Sequence, residues 1–211
     1  MYIPAHFKET DEALVDEFIE SNNFGIIVST LDNQLTATHI PFVLKRSENG
    51  ERFLEGHIAK ANPQWKSFHE DTPLLIIFPG PHTYISSKWY KSEKSVPTWN
   101  FIAVHVYGKP KIMNLEELYT SLTDLISKSE KGSEDPLDMK DIPADYSNNL
   151  MKAVVGFKIK IERTEAKYKL SQNRSGEDKE RVIHKLMERG DENSHAVSGE
   201  MKKRNKNKTD K

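Results

Sequence analysis

Short turns between successive strand-like segments are the feature that most restricts the fold of this 211-residue chain. Three segments of strand character follow one another closely: FGIIVST (24–30), LTATHIPFVL (35–44) and ERFLEGHI (51–58). Asp32-Asn33 separates the first two and Ser47 to Gly50 the last two, and both are turn-forming sequences. A parallel pair of strands would need a much longer crossover, so these segments predict an antiparallel meander.

Strand character returns further along the chain. Four more segments have it: TPLLIIFPG (72–80), HTYIS (82–86), the stretch from PTWNFIAVH (97–105) to about Ile112, and VVGFKIKIERTEAKYKLS (154–171). The last of these alternates between apolar and polar residues, which is typical of a strand with one buried face. Six or more antiparallel strands predict a closed or nearly closed barrel, because closure removes the sheet edges.

Helices are predicted at the borders of this sheet by their capping residues. Candidate caps are Thr10 or Asp11, Asn114 with Glu117, and Ser175 with Asp178. Gly190 should end the helix that begins after Ser175, and a marginal helix or tail follows Asn193. The fold class predicted from these patterns is mainly β with flanking helices (α+β).

Composition excludes several classes of protein. The absence of cysteine rules out a disulfide framework, thiolate metal sites and a cysteine nucleophile. The amino-terminal residues lack the basic and apolar segments of a secretory signal, and no apolar run approaches the roughly 20 residues of a membrane-spanning helix. We therefore expect a cytoplasmic protein. Its net charge of −1 gives the whole molecule no field that attracts nucleic acid.

The carboxyl terminus MKKRNKNKTDK (201–211) is strongly basic. We interpret it as a flexible tail that follows one domain over residues 1–200. Such a tail could contact DNA, although a solvated end is the simpler interpretation. Residues 175–204 superficially resemble a helix-turn-helix, but Ser198-Gly199 weakens the second helix, which favours a packing helix followed by a frayed end.

Standard catalytic motifs are absent from the sequence. It has no GxGxxG, GxxxxGK[ST], GxSxG or HExxH motif, which argues against a Rossmann site, a P-loop NTPase, an α/β-hydrolase and a zincin. The eight histidines are scattered, and none is paired at helical spacing. His39 and His105 share strand faces with apolar residues, where a core histidine is favoured over a metal ligand. No metal is predicted.

Four segments that combine polar and aromatic residues lie beside predicted strands: GHIAKANPQW (56–65), GPHTYISSKWY (80–90), VPTWNFIAVH (96–105) and KLSQNR (169–174). Together they supply the groups that a site for a phosphate and a flat ring requires. The cations are Lys60, Lys169 and Arg174; the hydroxyls are Ser86, Ser87 and Thr98; the amides are Asn62, Asn100, Gln172 and Asn173; the flat apolar walls are Trp65, Trp89, Trp99 and Tyr84.

A purely structural interpretation of these segments stays open. Tryptophans are commonly core residues, and amides commonly cap helices or stabilise turns. For Asn62 the capping role alone is sufficient. From the residues alone, the sequence indicates a ligand-binding β-barrel.

The same segments occur in an order that resembles one known family. MYIPAHF, THIPF (38–42), GHIAKANPQW, GPHTYISSKWY, VPTWNFIAVHVYG and KLSQNR together resemble the PaiB-type family of FMN-binding negative transcriptional regulators, associated with protease synthesis and sporulation. The resemblance runs from Met1 to about Met201. It implies a split β-barrel related to pyridoxamine-phosphate-oxidase-like flavoproteins, and a homodimer with FMN near the subunit interface.

The resemblance also implies roles for individual residues. Lys60 and Asn62 would lie near the ribityl phosphate of FMN, with Ser86 and Ser87 as partners of the phosphate or the ribityl chain. The isoalloxazine wall would consist of Thr98, Trp99 and Asn100, with His105 deeper on the same strand. The segment with Lys169, Gln172 and Arg174 would close the site, from the same chain or from the partner chain.

Three functions remain open at this point. The first is an FMN-binding negative regulator of protease-synthesis and sporulation genes, acting on DNA directly or indirectly. The second is an FMN-dependent oxidoreductase of small molecules, and here the only evident acids or bases are His105 and His82. The third is a haem-handling split-barrel protein, for which the sequence shows no identifiable axial ligand.

Overall fold

A computed structural model describes residues 1–91 and 95–206 of the chain. Its strands are β1 (Lys8–Glu9), β2 (Phe24–Leu31), β3 (Gln34–Pro41), β4 (Val43–Arg46), β5 (Arg52–Ala59), β6 (Leu74–Ile85), β7 (Thr98–Ile112) and β8 (Val154–Lys169). Its α-helices are α1 (Glu12–Ser21), α2 (Leu115–Ser129), α3 (Ala144–Lys152), α4 (Gly176–Arg189) and α5 (Glu192–Lys206). Short 3₁₀ turns occupy Ala5–Phe7, Pro63–Ser67, Ser87–Trp89 and Met139–Asp141.

The strands form one antiparallel sheet in the order β3-β2-β6-β7-β8-β5-β4, with β1 paired to β8. The predicted class, mainly β with flanking helices, is confirmed. Within the described part of the chain, no helix is both long and apolar enough to cross a membrane.

The chain divides into two compact units. Unit 1 consists of Met1–Val15, Pro79–Val104 and Glu165–Lys211, and unit 2 consists of Asp16–Phe78 and His105–Thr164. Strands β6, β7 and β8 each contribute residues to both units. Unit 1 contains α4 and α5, whereas unit 2 contains the β2–β3 and β4–β5 hairpins.

The turn between β2 and β3 follows the prediction. Asp32 and Asn33 have φ values of 51° and 61°, as a two-residue hairpin turn with both central residues left-handed requires. The prediction of one continuous strand over 35–44 is wrong, because the strand is interrupted at Phe42. β3 pairs with β2 and β4 pairs with β5, so the chain changes partner there and the meander is replaced by two hairpins.

The two strands predicted at 72–80 and 82–86 form the single strand β6. β6 includes Pro79 and Pro81, although proline cannot donate a hydrogen bond to a neighbouring strand. β6 pairs with β2 at Leu75, Ile76 and Ile77. Both prolines lie beyond these residues, so their missing N–H groups break none of those hydrogen bonds.

Four phenylalanine rings form the centre of the core in unit 2. Phe42 packs edge-on against Phe78 and Phe157, with ring centroids 5.6 and 6.4 Å apart. Phe68 packs edge-on against Phe157 at 4.9 Å. These offset geometries are the ones that aromatic pairs prefer, so the rings stabilise the core beyond the burial of their area.

A buried amide connects the first polar-aromatic segment to the β2–β3 hairpin. Gln64 is fully buried, and the two N–H groups of its Nε2 are shared among three acceptors: the carbonyl oxygens of Ile27 and Thr36 at 3.2 and 3.1 Å and Ser29 Oγ at 3.1 Å. Its Oε1 accepts from the Thr38 hydroxyl. A buried amide with these partners is satisfied, and it fixes the 3₁₀ turn Pro63–Ser67 against the sheet.

The capping predictions hold where the caps are most distinctive. Asn114 and Glu117 form a capping box for α2, and Ser175 accepts from Asp178 N–H at 3.1 Å at the start of α4. Asp11 caps the first turn of α1 by accepting from Ala13 N–H at 3.0 Å. Gly190 ends α4 in the left-handed conformation, with φ of 75°.

The predicted boundary between domain and tail at residue 201 falls inside a helix. α5 continues to Lys206, because a stripe of buried residues at helical spacing packs along it: Ser194, Val197, Ser198 and Met201. This packing outweighs the low helix propensity of Gly199. The rest of the predicted tail, 207–211, lies outside the described residues.

Two glycines should respond in opposite directions to the same substitution. A Cβ on Gly108 would lie 2.0 Å from the carbonyl oxygen of Lys160, so Gly108→Ala should lower the free energy of unfolding by about 3 kcal/mol. A Cβ on Gly199 would meet nothing within 4 Å, and Gly199→Ala should raise the stability by about 0.5–1 kcal/mol. Urea unfolding of both variants measures the two changes. A neutral Gly108→Ala variant would contradict the close approach of these strands.

Candidate functional site

Unit 1 contains most of the predicted site residues: Ser86, Ser87, Thr98, Trp99, Asn100, Lys169, Gln172 and Arg174. They lie at the end of β6, the start of β7 and the end of β8. Hydrogen bonds join two of these segments directly, through Lys169 with Thr98 and Asn100 with Ser171.

His82, Tyr84 and Trp99 form an exposed aromatic patch. His82 and Tyr84 are alternate residues of β6 and therefore share one face of the strand. The Trp99 ring centroid lies 6.2 Å from that of His82 and 6.1 Å from that of Tyr84. Trp99 is 52% exposed and Tyr84 is 41% exposed. A large apolar surface left open to solvent in this way is suited to stacking against a flat ring.

Lys167 and Lys169 form a lysine pair on alternate positions of β8. The Lys169 ammonium donates to the Thr98 hydroxyl, and the Lys167 ammonium donates to the carbonyl oxygen of Tyr2 at 3.1 Å. Lys167 also lies 5.2 Å from the ring centroid of Phe101. Within residues 1–91 and 95–206, no carboxylate forms an ion pair with either lysine.

The electrostatics of the lysine pair favour an anion. Burial of Lys169 lowers the pKa of its ammonium, and the positive charge of Lys167 lowers that pKa further. A phosphate beside the two ammonium groups would offset the like charge of the pair, because it offers charge-assisted hydrogen bonds to cations that have no carboxylate partner among the described residues. Lys167 was not among the predicted site residues, although its spacing of two from Lys169 on a strand could have revealed it.

Two hydroxyls in the same unit, those of Tyr90 and Ser95, are buried. Tyr90 Oη and Ser95 Oγ are inaccessible to solvent and have no hydrogen-bond partner among the described residues. The Arg174 guanidinium lies 4.3 Å from the ring centroid of Tyr90. Buried polar groups are normally paired, so these hydroxyls fit a site that a polar ligand completes.

Two of the four predicted amides, Asn100 and Gln172, form hydrogen bonds within the fold. Asn100 is fully buried, and its Nδ2 donates to Ser171 Oγ at 3.0 Å and to Met201 Sδ at 3.6 Å. Gln172 Oε1 accepts from Leu170 N–H at 2.7 Å, and its Nε2 donates to the carbonyl oxygen of Tyr168. Gln172 thus stabilises the turn in which Ser171 has a left-handed φ of 62°.

The three residues predicted to form one wall divide between the two faces of β7. Burial alternates along the strand, so the buried Asn100 and the exposed Trp99 point to opposite faces. Of the three, Trp99 belongs to the aromatic patch and Thr98 contacts the lysine pair. Ser86 caps the following 3₁₀ turn by accepting from Lys88 N–H at 3.3 Å, and Ser87 is the first residue of that turn.

Lys60, Asn62 and His105 belong to unit 2. Asn62 accepts from Gln64 N–H at 3.0 Å and donates to Thr38 Oγ1 at 2.9 Å, so it caps the 3₁₀ turn. The Lys60 side chain is exposed, and its carbonyl oxygen accepts from the Trp65 indole at 3.0 Å. His105 is half-buried on the same strand face as Trp99. Their ligand-binding roles stay predictions.

Comparison with known proteins identifies relatives across the chain. A family model described as "Putative FMN-binding domain" matches residues 1–163. The chain is 40% identical over 196 residues to "Protease synthase and sporulation protein PAI 2" of Bacillus subtilis, covering 93% of each chain. It is 31% identical to an uncharacterised protein of Aspergillus fumigatus, covering 97% of each.

Two solved structures have a similar fold at low sequence identity. The FAD and heme binding protein of Mycobacterium smegmatis superposes with a TM-score of 0.56 and 12% identity, over 77% of this chain and 73% of that one. The flavocytochrome Anf3 of Azotobacter vinelandii superposes with a TM-score of 0.55 and 13% identity, over 83% and 73%. The predicted split-barrel fold is confirmed by this similarity.

The lowered pKa of Lys169 predicts a pH dependence of stability. Between its folded pKa and the ordinary value of about 10.4, the unfolded chain binds more protons than the folded protein. The contribution of this group to stability therefore increases as the pH rises through that interval. Wild type should gain stability relative to Lys169→Met as the pH rises toward about 10.4, measured by urea unfolding.

The exposed Lys111 supplies the control for that measurement. Lys111→Met removes one lysine charge from an exposed position, and it is measured alongside as the reference variant. A difference between wild type and Lys169→Met that does not change with pH would contradict the lowered pKa.

Proposed function

This chain belongs to the family of FMN-binding domains, and from that premise we propose that it is an FMN-binding negative regulator of protease-synthesis and sporulation genes. FMN as the cofactor agrees with the description of the family. The observation that carries the proposal is that the aromatic patch and the lysine pair both belong to unit 1, where the Lys169 ammonium donates to the hydroxyl of Thr98, the neighbour of Trp99 in β7.

The residues present fit the two ends of FMN. The aromatic patch offers the flat apolar surface that an isoalloxazine ring requires, with Trp99 as its largest member. The lysine pair and the Thr98 hydroxyl offer donors to the phosphate, and Arg174 adds a guanidinium in the same unit. The hydroxyls of Tyr90 and Ser95, which have no partner in the described part of the chain, are further donors.

The remaining predicted site residues are part of the proposal as secondary contacts. Ser86 and Ser87 are proposed for the ribityl chain, and the family resemblance supports Lys60, Asn62 and His105 as further FMN-binding residues. When bound, FMN supplies one- and two-electron redox chemistry, while the protein supplies binding, orientation and electrostatics. We also propose a cytoplasmic homodimer, which size-exclusion chromatography with light scattering tests.

The regulatory part of the proposal is supported by the name of the Bacillus subtilis relative, which matches this chain over nearly its full length. Direct DNA contact through the basic carboxyl terminus receives less support. Arg204 forms an ion pair with Glu9 and lies 4.1 Å from the ring centroid of Tyr168, and Lys203 forms an ion pair with Glu200. These cations are partly neutralised, so we propose regulation that does not depend on them.

An FMN-dependent oxidoreductase is the alternative, and one observation favours it. His82 is an exposed, titratable group whose ring lies 6.2 Å from that of Trp99, beside the surface proposed for the flavin. A histidine there could transfer a proton to or from a small-molecule substrate.

Removal of the lysine pair tests the proposed phosphate contact. The double variant Lys167→Met/Lys169→Met should bind FMN about 10- to 100-fold more weakly, because it loses charge-assisted hydrogen bonds to the phosphate. Riboflavin, which lacks the phosphate, should bind the variant and the wild type with affinities within about two-fold. Quenching of flavin fluorescence measures both affinities, with Lys111→Met as the control. Equal losses for both flavins would contradict a phosphate contact at this pair.

Two assays on the FMN-loaded protein distinguish regulator from oxidoreductase. A regulator should shift DNA from protease or sporulation promoters at about 0.15 M salt, where non-specific binding by basic residues has weakened. DNA of shuffled sequence is the control. An oxidoreductase should instead lose its flavin absorbance when a reduced nicotinamide nucleotide is added. Bleaching without any DNA shift would contradict a directly acting regulator.

A further inference from the structure

We propose that a relay of hydrogen bonds, from Arg189 through Thr83 and Ser194 to Asp191, couples flavin binding at the aromatic patch to docking of the α4–α5 hairpin. All four residues belong to unit 1. The proposal rests on the proposed function, since its ligand is the flavin.

The direction of the relay follows from the donors available. Arg189 Nη1 donates to Thr83 Oγ1 at 2.8 Å, and Ser194 Oγ donates its single proton to Asp191 Oδ2 at 2.6 Å. Thr83 Oγ1 and Ser194 Oγ lie 3.1 Å apart. Since the Ser194 proton is already used, Thr83 is the donor of this bond. The relay therefore runs from a cation to an anion, and each bond polarises the next.

Thr83 occupies the position where the patch and the hairpin meet on one strand. It lies between His82 and Tyr84, and strand alternation directs its side chain to the opposite face from theirs. Thr83 is 4% exposed, whereas its two neighbours are exposed members of the aromatic patch. One face of residues 82–84 thus contributes to the aromatic patch, and the opposite face contributes Thr83 to the relay.

The backbone of the same segment is also held by the hairpin. Asn193 Oδ1 accepts from His82 N–H at 3.3 Å, and Arg189 Nη1 donates to the carbonyl oxygen of Tyr84 at 3.0 Å. Arg189 ends α4, and Asn193 lies in the first turn of α5. The short connection between the two helices is therefore bonded to residues 82, 83 and 84 in turn.

Anchoring at these residues links two equilibria. Docking of the hairpin orders residues 82–84, and stacking of a flavin on the patch requires the same residues to be ordered. Each event therefore lowers the entropic cost of the other, and by linkage each strengthens the other by the same factor. The two states are a hairpin docked on β6 and a hairpin locally released from it. Flavin binding would in this way be communicated to the carboxyl-terminal helices.

Hydrogen exchange of the α4 and α5 amides, with and without saturating FMN, tests the coupling. In wild type, FMN should slow exchange across these helices by about five-fold or more, the lower end of usual coupling factors. Thr83→Ser keeps the hydroxyl and should keep this slowing. Thr83→Val keeps the shape but removes the hydroxyl, so it should bind FMN more weakly by about the same factor and lose the slowing.

Arg189→Met provides a second break in the relay at an exposed side chain, where folding is least at risk. It should lose the slowing in the same way as Thr83→Val. FMN that binds wild type, by fluorescence quenching, without slowing exchange in α4 and α5 would overturn the relay and leave the FMN site standing. Undiminished slowing in Thr83→Val or Arg189→Met would also overturn it. Absence of FMN binding would overturn the proposed function and this inference together.

Discussion

The candidate site depends on one buried amide, that of Asn100. Its hydrogen bonds to Ser171 and Met201 connect the start of β7, the turn after β8 and the last turns of α5. An amide or hydroxyl left unpaired in the core costs about 1–3 kcal/mol, so these segments have one strongly favoured arrangement. Thr98 and Trp99 precede Asn100 on the same strand. The Thr98 hydroxyl beside the lysine pair and the Trp99 ring of the patch therefore take their positions from a residue that solvent does not reach.

Local signals in the sequence predicted much of the fold. The capping box at Asn114 and Glu117, the left-handed turn at Asp32-Asn33 and the end of α4 at Gly190 each depend on a few neighbouring residues, and each is found in the structure. The errors concern pairing between distant segments. Nothing within 35–44 shows that the chain changes its partner strand at Phe42, and nothing near Gly199 shows the packing that keeps α5 helical.

The candidate site was predicted less completely, for a related reason. Amides such as Asn100 and Gln172 have the same donors and acceptors whether they contact a ligand or stabilise a turn. Only their surroundings decide between the two, and both amides are satisfied within the protein. Gln64 shows the same pattern in unit 2. Conversely, Lys167 was not predicted as a site residue, because β8 contains several lysines that the sequence does not distinguish. Only the structure shows that its positive charge lowers the pKa of Lys169.

The junction at Phe42 has a consequence for self-association. It joins β3 to β4, the strands at the two ends of the sheet order, through a single residue. Free strand edges are the usual starting points of edge-to-edge aggregation and domain swapping. Because these terminal strands are consecutive in the chain, a covalent connection limits how far they can separate. A longer junction would relax that limit, so the one-residue link keeps the two terminal strands near each other and opposes the separation that a domain swap requires.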